Sequence, residues 1–306
     1  MKLAIVGLLL FPQVVCAGLD RYRALVRADL QPAQRTSIHV TYLGVNGYQF
    51  EADNHALLVD PYFTRAGLLP VALQRPLRSD PALVASGLEH VRRKVDAVLV
   101  THGHFDHLLD VPLVMQRTGA KLFTGETAVQ LAIAAGAPAA SCTPVRAGSL
   151  VKIGPWTIRA LPSAHDRLFG RVPYSTARSS SAAAPSRPRD WHLGEPLAFL
   201  IEASGRRIYI EAGGGRDLLP DVGGRRIDLA IMGVALPDSR KRFAAAVTRL
   251  NPRHVLPSHQ DNFFAPFARG FSFGPLTDFP DVLRAHQQNL PGELMLLDYF
   301  RPWTIP

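Results

Sequence analysis

Residues 101–107 read Thr-His-Gly-His-Phe-Asp-His and follow the apolar run Ala97-Val98-Leu99-Val100. Three of the chain's 11 histidines and one aspartate therefore stand together at the end of a predicted buried strand. In extended backbone, side chains two positions apart point the same way, so His102 and His104 face one point and Asp106 continues that parity. His107 breaks it, at the start of a predicted helix, and faces a second point nearby. Imidazole nitrogen with carboxylate oxygen is a donor set that suits zinc, and iron and manganese accept it as well. The spacing serves one ion or two adjacent ones. Two ions about 3.5–4 Å apart clamp the attacking and leaving oxygens of a displacement. The plain alternative is a surface turn that happens to be rich in histidine. Four ligand-type residues in six positions after a buried strand argue against it.

Cys16 and Cys142 are the chain's two cysteines, which excludes a disulfide framework and a cysteine-based zinc knuckle. Any metal site is therefore built from His, Asp and Glu. Hydrophobic residues make up 47% of the 306, enough for a sizeable core. The formal charge of +9 comes from 34 basic residues, but 29 of these are arginines scattered along the chain. Doublets such as Arg92-Arg93 and Arg225-Arg226 stand apart, so the charge reads as a solvated surface and not as a nucleic-acid stripe. Residues 1–17 start with Lys2, run apolar from Leu3 to Val15 and end on small residues, as a secretory signal does; the expected location is periplasmic or secreted. Cys16 leaves a lipid anchor open, and a cytoplasmic protein with a buried first element is the remaining alternative.

Elements that position the site follow from periodicity. Residues 18–36 are polar and mixed, a leader arm. Short β-rich runs at 37–44, 48–52 and 56–60, separated by turn residues, predict an antiparallel meander. A helix is predicted over 81–93, a buried strand over 95–101, and a helix over 107–117, where Leu108, Val111, Val114 and Met115 share one face. A short strand at 121–124 and an alanine-rich helix at 126–135, capped by Thr124, come next. A hairpin around Gly154-Pro155 joins strands at 150–153 and 156–161. Residues 171–190, rich in Ser, Ala, Pro and Arg, read as a mobile loop, a candidate lid whose arginines would attract an anionic small-molecule substrate. Strands at 197–202, 207–211, 228–234, 254–258 and 293–299 alternate with helices at 238–250, with Asp238 as its N-cap, and 280–288. Strands first, then α/β alternation, then the same again, predict two β-layers with helices outside.

Thr101-His102-Gly103-His104-Phe105-Asp106-His107 matches the HxHxDH signature of the metallo-β-lactamase-fold hydrolases, and residues 37–299 resemble that superfamily. Leu58-Val59-Asp60-Pro61 is similar to the family's strand-ending Asp-Pro. Pro162-Ser163-Ala164-His165-Asp166 supplies the later histidine, and Leu256-Pro257-Ser258-His259 the final one. The resemblance, in pattern closest to lactonase and phosphodiesterase-type members, implies an α+β four-layer αβ/βα sandwich of two mixed sheets packed face to face, occupying 37–306. It implies a metal set of His102, His104 and His165 and a second of Asp106, His107 and His259. By the same similarity, Asp106 is the catalytic residue that orients a metal-activated water and takes its proton during attack on a lactone, ester or phosphodiester.

One element departs from the pattern. After the strand at 207–210 the family carries Gly-Asp-Thr or Gly-Asp-Ser, whose aspartate bridges two metals; here Gly213 stands in its place. Glu211, two positions earlier and of the same parity, is a tentative metal ligand in its stead, and Asp217 is another candidate. Without a bridge the site holds one ion, or a second more weakly, so a mononuclear or non-catalytic metal-binding protein of this fold is the alternative function. A nuclease of the same fold is disfavoured by the scattered charge. His39, His55, His90, His254 and His286 read as structural or exposed, His192 lies beside the loop, and Phe263, Phe264, Phe267, Phe271 and Phe273 read mostly as core, with some at a pocket mouth.

Overall fold

The meander runs directly into parallel strands. β1 (His39–Gly44), β2 (Gly47–Ala52) and β3 (His55–Val59) pair antiparallel, and β4 (Val95–Leu99), β5 (Lys121–Thr124) and β6 (Cys142–Pro144) extend the sheet in parallel from β3. The second sheet repeats this plan. β7 (Leu150–Ile153), β8 (Trp156–Pro162), β9 (Leu197–Ala203) and β10 (Arg206–Glu211) are antiparallel neighbours. β11 (Leu229–Gly233), β12 (His254–Ser258) and β13 (Glu293–Leu294) follow in parallel. β14 (Pro302–Thr304) returns to pair with β1, so each sheet has seven strands. The computed structural model describes residues 18–29, 37–92, 94–177, 183–213 and 222–306. The signal reading of 1–17 with Cys16, part of the leader arm, the middle of the 171–190 loop and Asp217 lie outside the described residues.

Parallel neighbours require crossovers, and helices supply those before β4, β5, β6, β12 and β13. α1 (Leu68–Ala72) and α2 (Pro81–Leu88) precede β4; α3 (Phe105–Leu108) and α4 (Val111–Thr118) precede β5; α5 (Glu126–Ala134) precedes β6; α6 (Pro237–Leu250) and α7 (Phe279–Gln287) precede β12 and β13. Alternate residues of the strands serve opposite faces. Leu57, Leu99 and Phe50 meet Ile158, Phe199, Ile208 and Ile231 between the sheets. Leu58 and Val98 pack outward on Val84, Val111 and Leu131 of the helices, while Leu200, Ala230 and Val255 pack on Phe243, Val247 and Val282. The result is a four-layer αβ/βα sandwich. Residues 18–29 lie against it: Tyr22 meets Phe273 and Phe279 edge-on, and the Arg27 N–H donates to the Leu296 carbonyl at 2.9 Å.

Several boundaries differ from the periodic expectation, each for a long-range reason. α2 ends at Leu88 and not at 93, because Val91 turns into the core and the Arg92 N–H donates to Gln49 Oε1 at 2.7 Å. The helix expected at 107–117 is two helices broken at Asp110. That buried carboxylate accepts from the N–H groups of Phe63 and Thr64 at 2.7 Å and from the Ser79 hydroxyl at 2.6 Å, tying the break to the β3 side. Gly125, not Thr124, is the N-cap of α5, since the Thr124 hydroxyl donates to the Val100 carbonyl. α6 begins at Pro237, which puts Asp238 inside its first turn. Of the strand expected at 293–299, Glu293 and Leu294 form β13, Leu296 and Tyr299 make isolated bridges to Val26 and Tyr42, and Met295 and Leu297 enter the core between the sheets.

Candidate metal centre

β3, β4, β8, β10 and β12 all end at one rim of the sandwich, and the candidate ligands follow those ends, where open α/β sheets place their sites. Gly103 lets the 101–107 turn close against the neighbouring loop: its N–H donates to the Leu193 carbonyl at 3.0 Å, and a Cβ there would lie 2.1 Å from the His192 carbonyl oxygen. The turn thus delivers His102, His104, Asp106 and His107, all buried, to one point.

Two groups of ligand atoms result. His102, His104 and His165 offer one nitrogen each, and Asp106, His107 and His259 an oxygen and two nitrogens, with the atoms of each group within 4.8 Å of one another. The groups adjoin, since the rings of His102 and His107 have centroids 4.1 Å apart. Asp106 Oδ2 lies 3.2 Å from His259 Nε2 and 3.6 Å from His107 Nε2. Asp106 Oδ1 and His102 Nε2 are buried without a hydrogen-bond partner among the described residues. Buried lone pairs of this kind are costly unless something accepts them, and a cation does so. The donor set fits a divalent metal of the zinc, iron or manganese type.

Neighbouring groups orient the rings. His107 Nδ1 is 2.8 Å from Asp60 Oδ2, which leaves Nε2 facing Asp106. Asp60, fully buried, also accepts from the Asn46 amide at 2.8 Å and from the Thr101 N–H and hydroxyl at 2.8 and 2.6 Å. One carboxylate at the end of β3 therefore fixes both the histidine and the turn that carries it. His165 Nδ1 sits 2.7 Å from the Asp166 carbonyl and His104 Nε2 3.2 Å from that of Ser175, which leaves the opposite nitrogen of each ring for the site. His259 is held with a φ of 55°, uncommon for a residue with a side chain. The loop after it is anchored by Asp261, which accepts from Arg65 Nη1 at 2.7 Å, the Tyr299 hydroxyl at 2.6 Å and the Val45 N–H at 3.0 Å.

Electrostatics favour the ligating forms of His102, His104, His165 and Asp106 and oppose that of His107. Burial, reinforced by the surrounding rings, holds His102 well below the usual imidazole range, His104 at about 3 and His165 at about 4, so all three keep a lone pair at neutral pH. Burial alone would protonate Asp106, but His107 and His259 outweigh it and keep it ionised. Burial likewise opposes charging His107, yet Asp106 and Asp60 raise it above its ordinary value.

Glu211 does not join either group. Its carboxyl, fully buried at the end of β10, accepts from the Tyr209 hydroxyl at 3.1 Å and the Ser163 hydroxyl at 3.2 Å, and burial raises it to about 8. Against the tentative ligand reading of Glu211, its Oε2 is taken by these two hydroxyls and the side chain stands in neither ligand group. The glycine at 213 has a steric reason. A Cβ there would lie 2.6 Å from the Ala164 carbonyl oxygen and 3.3 Å from Asp166 Oδ1, so the neighbouring turn occupies the space a side chain would need.

The candidate ligand residues and Gly213 line one open cleft. Tyr174 and Pro173 from the 171–190 loop line it, as do Phe263 and Phe264, whereas Phe267 packs on Arg65, and Phe271 and Phe273 on other aromatics. Arg171 is exposed and outside the lining. His192 Nδ1 meets the Ser175 hydroxyl at 2.7 Å, and His55 pairs with Asp96, so neither reaches the site. The roles of Asp60, Arg65 and Tyr174 went unassigned in the sequence; for Asp60, the strand-ending Asp-Pro was the one signal.

Fold and site together define a two-sheet metallohydrolase. A family model described as a beta-lactamase superfamily domain matches residues 55–260. A UPF0173 metal-dependent hydrolase of Anaeromyxobacter sp. (strain K) is 31% identical over 198 residues, 61% of this chain and 67% of the relative. Another, of Anaeromyxobacter dehalogenans (strain 2CP-C), is 30% identical over 220 residues, 69% of this chain and 71% of the relative. Among solved structures, Igni18, a metallo hydrolase from the archaeon Ignicoccus hospitalis, superposes with a TM-score of 0.58 at 18% identity, over 88% of this chain and 99% of its own. The chain belongs to the beta-lactamase superfamily, as a metal-dependent hydrolase of the metallo-β-lactamase fold.

Proposed function

We propose that the chain hydrolyses a lactone, ester or phosphodiester bond of a small molecule, with one zinc ion held by His102, His104 and His165 and a second by Asp106, His107 and His259. The observation that carries this reading is the pair of adjoining ligand groups on the wall of one cleft. Zinc in such a site supplies a Lewis acid that polarises the scissile bond and makes water acidic near neutral pH. The chain's own residues do the rest. Asp106 keeps its ionised carboxylate against burial, and its Oδ1 is buried with no hydrogen-bond partner among the described residues, so it accepts the proton of the attacking water. Asp60 holds His107, and through Thr101 the turn, in the geometry this needs.

Asp106→Ala tests the reading. Hydrolysis of a panel of nitrophenyl esters, lactones and bis(p-nitrophenyl) phosphate falls by about 10²–10⁴, and the metal content of the second group drops. Turnover equal to the unaltered chain refutes the role of Asp106.

A further inference from the structure

We infer that the cleft selects a substrate with an extended apolar group beside the scissile bond, namely a medium-chain carboxylic ester or lactone. The inference rests on the hydrolase reading above and narrows it. The two walls touch the ligand histidines themselves. On one side the Tyr174 ring stands edge-on to His104, centroids 5.5 Å apart, and to Phe105 at 5.2 Å. On the other the Phe263 ring stands edge-on to His259 at 5.2 Å and lies against Phe264 at 4.1 Å. Leu168 and Pro173 continue the lining, as do Leu236 and Leu276.

No lysine or arginine lines the cleft among the described residues. Apart from the histidines, its charged members are the carboxylates of Asp106, Asp166 and Asp261, the last engaged by Arg65. A charged group remote from the reacting bond would lose its water against these apolar walls. An alkyl chain meets no such penalty, and each methylene it buries is worth roughly fourfold in binding.

The test is kcat/KM of the zinc-loaded full chain on p-nitrophenyl esters from acetate to decanoate and on bis(p-nitrophenyl) phosphate, each with and without chelator. Phe263→Arg and Leu276→Arg are run in parallel, with metal content measured on every sample so that a folding defect is recognised. Chelator-sensitive turnover that rises about two- to fourfold per methylene until the cleft is full and loses its chain-length slope in either arginine variant supports the inference. Chelator-sensitive turnover that is flat in chain length, or highest for the phosphodiester, overturns the substrate class and leaves the hydrolase reading standing. Absence of chelator-sensitive turnover on every probe, with metal bound, brings down both.

Discussion

Replacing Glu211 by glutamine changes one atom in a place where the acid is expensive to ionise. The side chain is fully buried at the end of β10, with the hydroxyls of Tyr209 and Ser163 donating to Oε2 and with Oε1 lacking a partner among the described residues. Burial is the main cause that raises its ionisation from the usual 4.5 to about 8, and the Asp166 carboxylate adds to it. Between those values the folded chain keeps a proton that the unfolded chain has lost. A group raised on folding contributes stability that is fully present below its unfolded pKa and is lost as pH rises through the folded one. The interval, at about 1.4 kcal/mol per pH unit, amounts to on the order of 5 kcal/mol between pH 4.5 and about 8. Glutamine stays neutral and accepts the same two hydroxyls, so the variant lacks that slope. Urea unfolding of metal-free protein at steps from pH 5 to 9 measures it: the stability of the natural chain falls relative to Glu211→Gln across this range and levels off above pH 8. Parallel profiles for the two proteins would refute the protonated, non-ligating assignment of Glu211.

Asp60→Asn weakens the acceptor that orients His107 and the Thr101 turn, and metal affinity at the Asp106 group falls about 10–100-fold in a competition titration. Gly213→Ala forces a Cβ to 2.6 Å from the Ala164 carbonyl oxygen; overpacking of this kind costs about 1–3 kcal/mol, read as a lowered urea midpoint. Arg65→Met leaves the fully buried Asp261 without its cation and lowers stability by about 3–5 kcal/mol, with loss of the ion near His259 measured on the same samples.

Local pattern carried much of this structure. The doubled succession of a meander and α/β alternation foretold two sheets with helices outside, because strand parity and helical spacing are written in runs of a few residues. The six candidate ligands were visible for the same reason: His102, His104, Asp106 and His107 share one turn, and His165 and His259 each follow a strand. What stayed hidden depends on partners far apart in the chain. Asp60 meets His107 across 47 positions, Arg65 meets Asp261 across 196, and Asp110 breaks a helix by binding residues 46 and 47 positions earlier. For Glu211, strand parity says nothing of the hydroxyls of Tyr209 and Ser163 that hold its carboxyl. Gly213, conspicuous as a missing ligand, is explained by a carbonyl and a carboxylate on the turn after β8, which no spacing within 207–215 reveals.

The central claim is that two adjoining groups each hold an ion even though residue 213 is glycine. Metal content per chain, measured by elemental analysis of protein purified without chelator, tests it most directly. The account predicts about two ions per chain, one for each group of ligand atoms. One ion or none would contradict it.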